Sequence, residues 1–163
     1  MQRRVADLTE LALTRFVARA RRVAGLKGTV DVAITSNTAM KKLNQRFRGK
    51  NQATDVLSFP APDDDPRKKF AGEIAISAEI ATRNAQALGH TCAQEVKILV
   101  LHGVLHLKGY DHERDRGQMA RRENQLRARL GLFSGLIERT VGTRNTATRS
   151  RRQAAGEHPR RKA

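Results

Sequence analysis

The amino-acid sequence predicts an α+β fold: a small mixed sheet of three or four strands, with about five helices around one central helix at residues 92–107. Three observations lead there. Segments 29–35, 54–59 and 72–77 are short and rich in Val, Ile and Leu, two of them with clear alternation, as strands with one buried face require. Around them apolar residues recur three and four apart, in stretches closed by Gly25, Gly49, Gly89 and Gly131, the pattern of amphipathic helices with glycine ends. The order helix, strand, helix, strand, strand, helices fits neither a pure bundle nor a doubly wound sheet.

Residues 7–23 read as the first helix, with Leu8, Leu11, Ala12, Phe16 and Ala20 on its inner stripe. Val30, Val32 and Ile34 alternate along the first strand. Ser36 and Asn37 supply cap chemistry for a second helix, whose stripe is Met40, Leu43 and Phe47. Residues 60–69 form a loop holding three prolines and three consecutive aspartates, and Ile74 and Ile76 mark the strand after it. Ser77 caps a helix ending at Gly89. Thr91 and Gln94 make a T-x-x-Q capping box for the central helix, which is apolar over a wide arc and therefore buried. Residues 113–130 form the last helix, with Met119, Leu126 and Leu130 inward.

The chain has 163 residues, one cysteine, and a net charge of +16. That charge points to a polyanionic partner, nucleic acid before membrane, because no strongly amphipathic basic helix stands out. No apolar run reaches the roughly 18 residues of a membrane span, and the N-terminus lacks the apolar core of a signal peptide. Cys92 alone excludes an intrachain disulfide, fits a reducing cytoplasm, and reads as a small packing residue. Residues 142–163 carry seven basic residues against Glu157, a net +6, with almost nothing large and apolar. We expect a domain at 1–141 followed by a disordered basic tail at 142–163. The remaining +10 belongs to the domain.

The stretch HGVLHLKGYDH at 102–112 carries the chemistry. His102 and His106 are four apart, so a helix stacks them on one face, with Cβ atoms roughly 6 Å apart. Gly109 ends the helix through the left-handed conformation, and His112 can return as a third ligand. Three histidines with an open fourth position describe a catalytic zinc site better than a closed structural one. Gly103 stands where the common H-E-x-x-H pattern has its glutamate, which argues against a protease of that type.

This run resembles the signature of the YbeY family, metal-dependent endoribonucleases of ribosome maturation. LNQRFR at 43–48, TDVLSFP at 54–60 and GEIAIS at 72–77 match as well, so the resemblance covers about residues 29–131 in the family's order. Two departures stand out. Glu73 replaces a usual aspartate, and too few residues precede the first helix for the family's N-terminal edge strand. The resemblance implies a single-strand-specific endoribonuclease acting on ribosomal RNA, in maturation of the small-subunit 3′ end and in ribosome quality control. It also implies one Zn²⁺ per chain on His102, His106 and His112, the small ribosomal subunit as partner, no small-molecule cofactor, and a cytoplasmic location.

Arg48 matches the arginine of the family's L-N-x-x-[YF]-R segment and becomes the candidate phosphate clamp, since a guanidinium can bind a phosphate through two hydrogen bonds. Among 32 Lys and Arg residues it would carry no such role by composition alone. Glu95 and Asp111 are candidates for orienting the imidazoles, and Glu95 could equally serve the helix N-terminus. Asp55 and Ser58 either line the cleft or satisfy local backbone groups. No general base stands out. Two other functions compete: a non-catalytic RNA-binding assembly factor with a structural metal, and a metal-dependent hydrolase of another substrate.

Overall fold

The computed structural model describes residues 4–62 and 69–132. Eight elements follow one another: α1 (Glu10–Ala24), β1 (Thr29–Thr35), α2 (Asn37–Arg48), β2 (Val56–Pro60), β3 (Phe70–Ser77), α3 (Ala78–Leu88), α4 (Cys92–Leu107) and α5 (Gln118–Leu130). The α+β expectation holds. The sheet is mixed, in the order β1-β3-β2, with β1 parallel and β2 antiparallel to the central β3.

The pleat sorts the side chains. Ser58 lies opposite Ile74, and Val32 and Ile34 lie beside Ile74 and Ile76, so these residues share one sheet face. Ile34, Ile74 and Ile76 join the main core, with Leu99, Val100 and Val104 of α4. Leu57 and Ala75 point to the other face and form a second cluster with Met40 of α2, flanked by Leu43 and Phe59. Helix α4 is buried along nearly its whole length, packed by α1 and α3, by α5, and by β2 and β3. Gly103 allows that approach: a Cβ there would fall 2.8 Å from Ile74 Cδ1 and 3.0 Å from Ser58 Oγ. The Ser58 hydroxyl donates to the Gly103 carbonyl at 3.3 Å.

Several boundaries and faces differ from expectation. Helix α1 starts at Glu10 because Thr9 Oγ1 accepts from Ala12 N at 3.1 Å, while Asp7 takes φ 59° in a turn closed by the Val5–Leu8 bridge. Its inner face runs through Phe16, Val17, Ala20 and Ala24, leaving Leu11 exposed rather than inward. Helix α5 starts at Gln118 rather than 113, because Asp115 takes the N–H groups of Gly117 (2.8 Å) and Met119 (2.7 Å) and holds the preceding residues in turns. Phe47, expected on the inner stripe of α2, is 56% exposed. Among the described residues the sheet has three strands. The basic tail expected at 142–163, and most of the loop at 60–69, lie outside the described residues.

Candidate metal centre

The last two turns of α4 and the loop after it bring three imidazoles together. His102 and His106 share one helix face, with ring centroids 4.8 Å apart, and the His112 ring lies 5.2 Å from each. The Nε2 atoms of His102 and His106 are 3.1 Å apart. One ligand nitrogen from each of the three histidines lies within 4.8 Å of the others. Tetrahedral bonds of 2.0–2.1 Å would separate ligand nitrogens by about 3.3 Å. The helical pair already meets that spacing. His112 completes the set from an exposed turn.

The return of the chain has a local cause. Gly109 takes φ 104°, its N–H reaches the His106 carbonyl (2.9 Å), and Tyr110 N–H reaches the Leu105 carbonyl (3.0 Å). These two bonds make a Schellman motif, which stops α4 one residue past His106, at Leu107, and swings His112 back.

What surrounds the rings prepares them to bind a cation. His102 is 9% exposed, and its Nδ1 lies 3.0 Å from Glu123 Oε2. A carboxylate there keeps the proton on Nδ1 and leaves the Nε2 lone pair for a metal. Burial would raise the Glu123 pKa. The hydrogen bond and charge of His102, with Arg127, outweigh it and hold the carboxyl below its usual range. Arg127, 2% exposed, binds Glu123 Oε1 through Nε (3.0 Å) and Nη2. His106 is pushed down to about 4, first by burial and then by the neighbouring His102 and His112; the bond to the Tyr110 backbone and the charge of Asp111 oppose this only in part. A neutral imidazole at physiological pH is a competent ligand. The donor set, three imidazole nitrogens with one buried carboxylate behind them, fits a transition metal of zinc type.

The other residues singled out in the sequence are spread more widely. Glu95, fully buried in the first turn of α4, pairs with His90 (Nε2 to Oε2, 2.6 Å), two turns from His102. Asp111 Oδ1 accepts from Glu113 N at 3.0 Å and Oδ2 faces Arg114, so its carboxylate shapes the turn that presents His112. Asp55 Oδ1 accepts from Val56 N (2.9 Å) and from Thr54 Oγ1 (3.2 Å), satisfying local groups at the start of β2. Ser58 fastens β2 to α4 at Gly103, beside His102. Arg48 is exposed in the last turn of α2. Sequence reasoning missed Glu123 and Arg127. Their one local signal is Glu-x-x-x-Arg on α5, a spacing common on solvated helix surfaces.

The family described as Endoribonuclease YbeY matches residues 1–131 of this chain. The chain belongs to the YbeY family. It is 47% identical to the Endoribonuclease YbeY of Koribacter versatilis, over 94% of this chain and 98% of that one. With the Endoribonuclease YbeY of Solibacter usitatus it shares 46% identity, over 85% and 90%. The solution structure of TM1509 from Thermotoga maritima is similar in fold, with a TM-score of 0.51 and 29% identity, covering 85% of this chain and 89% of that one. YbeY membership supports an endoribonuclease role, a hydrolase acting on RNA. Among the described residues no helix is long and apolar enough to cross a membrane.

Proposed function

We propose that this chain is a metal-dependent, single-strand-specific endoribonuclease of ribosomal RNA maturation, acting at the small-subunit 3′ end and in ribosome quality control in the cytoplasm. The observation that carries the metal dependence is the convergence of His102, His106 and His112, with two Nε2 atoms 3.1 Å apart and a buried carboxylate behind the first. The net charge of +16 suits an RNA substrate and the small ribosomal subunit as partner.

Zn²⁺ held by the three histidines would supply Lewis-acid activation of water and of a phosphoryl oxygen. The chain's own residues do the rest. Glu123 fixes the His102 tautomer, and Arg127 keeps Glu123 ionised within the core. Asp111 and the Gly109 turn present His112. Arg48 is the phosphate clamp in this reading: its two-pronged guanidinium would meet the charge that builds on phosphorus. Residues 142–163 would add non-specific affinity for RNA through their net +6.

The test is cleavage of a small-subunit RNA precursor carrying its 3′ extension, by zinc-loaded wild type and by His106→Ala. Wild type should cut the single-stranded extension, and the variant should have lost both zinc and activity. A wild type that binds the precursor and holds zinc without cutting would make it an assembly factor with a structural metal.

A further inference from the structure

Phe47 is one of three large apolar side chains left exposed among the described residues, at 56%. It does not stand alone. Its ring meets Phe59 of β2 edge-on, with centroids 4.9 Å apart and planes at 60°. The Arg46 guanidinium lies 5.3 Å from the Phe47 centroid. Arg48 and Lys50 follow, both exposed. The loop holding Lys50 is pinned to the helix: Asn44 Nδ2 donates to the Gln52 carbonyl at 2.8 Å, and Lys50 N–H reaches the Asn44 carbonyl. The result is a supported aromatic face with cations on its flanks.

Its place relative to the metal centre follows from the pleat. Ser58 touches α4 at Gly103, the residue after His102. Phe59, next in β2, points to the opposite sheet face, where it meets Phe47. Leu107 lies at the same level, since a Cβ on Gly72, the partner of Pro60, would fall 2.8 Å from Leu107 Cδ2. The histidine-bearing turn and the Phe47–Phe59 pair thus sit on two sides of one edge strand.

We propose that Phe47, backed by Phe59 and flanked by Arg46, is a stacking subsite for an unpaired base of the RNA, a few nucleotides from the bond cleaved. Every base has a π-face, so such a platform binds single strands with little sequence preference, and arginine planes stack on bases as well. A base inside a duplex has both faces covered. Phe47 would therefore select for unpaired substrate by binding, independently of the metal. This subsite rests on the RNA-cleaving reading above.

The absence of tryptophan from the chain gives a direct probe. The full-length protein is titrated by rapid mixing, before cleavage sets in, with a single-stranded RNA, with its duplex, and with inorganic polyphosphate. Phe47→Leu, which keeps apolar cover over Phe59 without a π-face, should bind the single strand about tenfold more weakly, the scale of losing one stacked base. Duplex affinity and melting temperature should not move. Phe47→Trp should bind at least as well as wild type, its indole emission quenched by the single strand and unchanged by polyphosphate. Single-strand affinity of Phe47→Leu equal to wild type, or an indole blind to RNA, overturns the subsite while cleavage by wild type leaves the nuclease reading intact. If wild type neither binds nor cuts RNA, the nuclease reading fails, and the subsite with it.

Discussion

Glu123→Gln is the most informative single change near the metal centre. Glu123 is fully buried and accepts on both oxygens, from Arg127 on Oε1 and from His102 Nδ1 on Oε2. Glutamine has the same shape but one acceptor and one donor. If its oxygen faces Arg127, its NH₂ faces Nδ1 and drives the His102 proton to Nε2, the nitrogen a metal needs. If it turns the other way, NH₂ meets the guanidinium, donor against donor. Loss of such an orienting partner costs 10–100-fold in metal affinity, about 1.4–2.7 kcal/mol. The charge lost beside buried Arg127 has its own cost, about 3–5 kcal/mol for breaking a buried pair.

The two effects separate with a second variant. Glu123→Gln with Arg127→Met removes the stranded cation, so the apo melting temperature should recover much of its loss. Zinc affinity, measured by competition with a chelator, should stay low in both. If Glu123→Gln keeps a folded apo state and holds zinc as tightly as wild type, the carboxylate does not set the His102 tautomer.

Three further outcomes can be checked. Arg48→Ala should slow cleavage about a hundredfold, the scale of one lost preorganised donor, with zinc content and melting unchanged, and Arg48→Lys should recover part of the rate. Gly103→Ala should destabilise by about 1–3 kcal/mol in denaturant melts, because the new Cβ would meet Ile74 Cδ1 at 2.8 Å and Ser58 Oγ at 3.0 Å. His106 titrates at about 4 when folded against 6.5 unfolded, so between those values the unfolded chain binds more protons. Apo stability should hold above pH 6.5 and fall as pH drops toward 4; the depressed Glu123 carboxyl acts in the same sense, and a His106→Gln melt series should show a shallower slope.

Local chemistry made much of this protein legible in its sequence. The caps Ser36, Ser77 and Thr91 each bind a backbone N–H within their own first turn, so those helix starts were readable to the residue. The histidine run was readable for the same reason: spacing, a terminating glycine and a return all lie within eleven residues. Glu123 was not, because its bond to His102 spans 21 residues and depends on how α5 docks beside α4. Phe47 kept the helical period of Met40 and Leu43 yet stands exposed, because its ring lies edge-on against Phe59 on β2, an edge of a sheet three strands wide among the described residues. Periodicity names the face of a helix, not how far the sheet beneath it extends.

The same docking explains why two of the three candidate ligands are enclosed by packed elements and one stands on an exposed turn. Helix α4 is fixed on the sheet side, where Gly103 lets Ser58 and Ile74 close on it, and on the α5 side by Glu123 and Arg127. His102 and His106 are therefore placed before any ion arrives, and little ordering is left to offset on binding. His112 hangs from an exposed turn organised by Asp111 and Asp115, whose carboxylates bind backbone N–H groups rather than the ring. The packed pair meets the ligand spacing already, and the third ligand approaches from the solvent side. This arrangement leaves the solvent side of the site lined by His112, the one exposed ligand of the three.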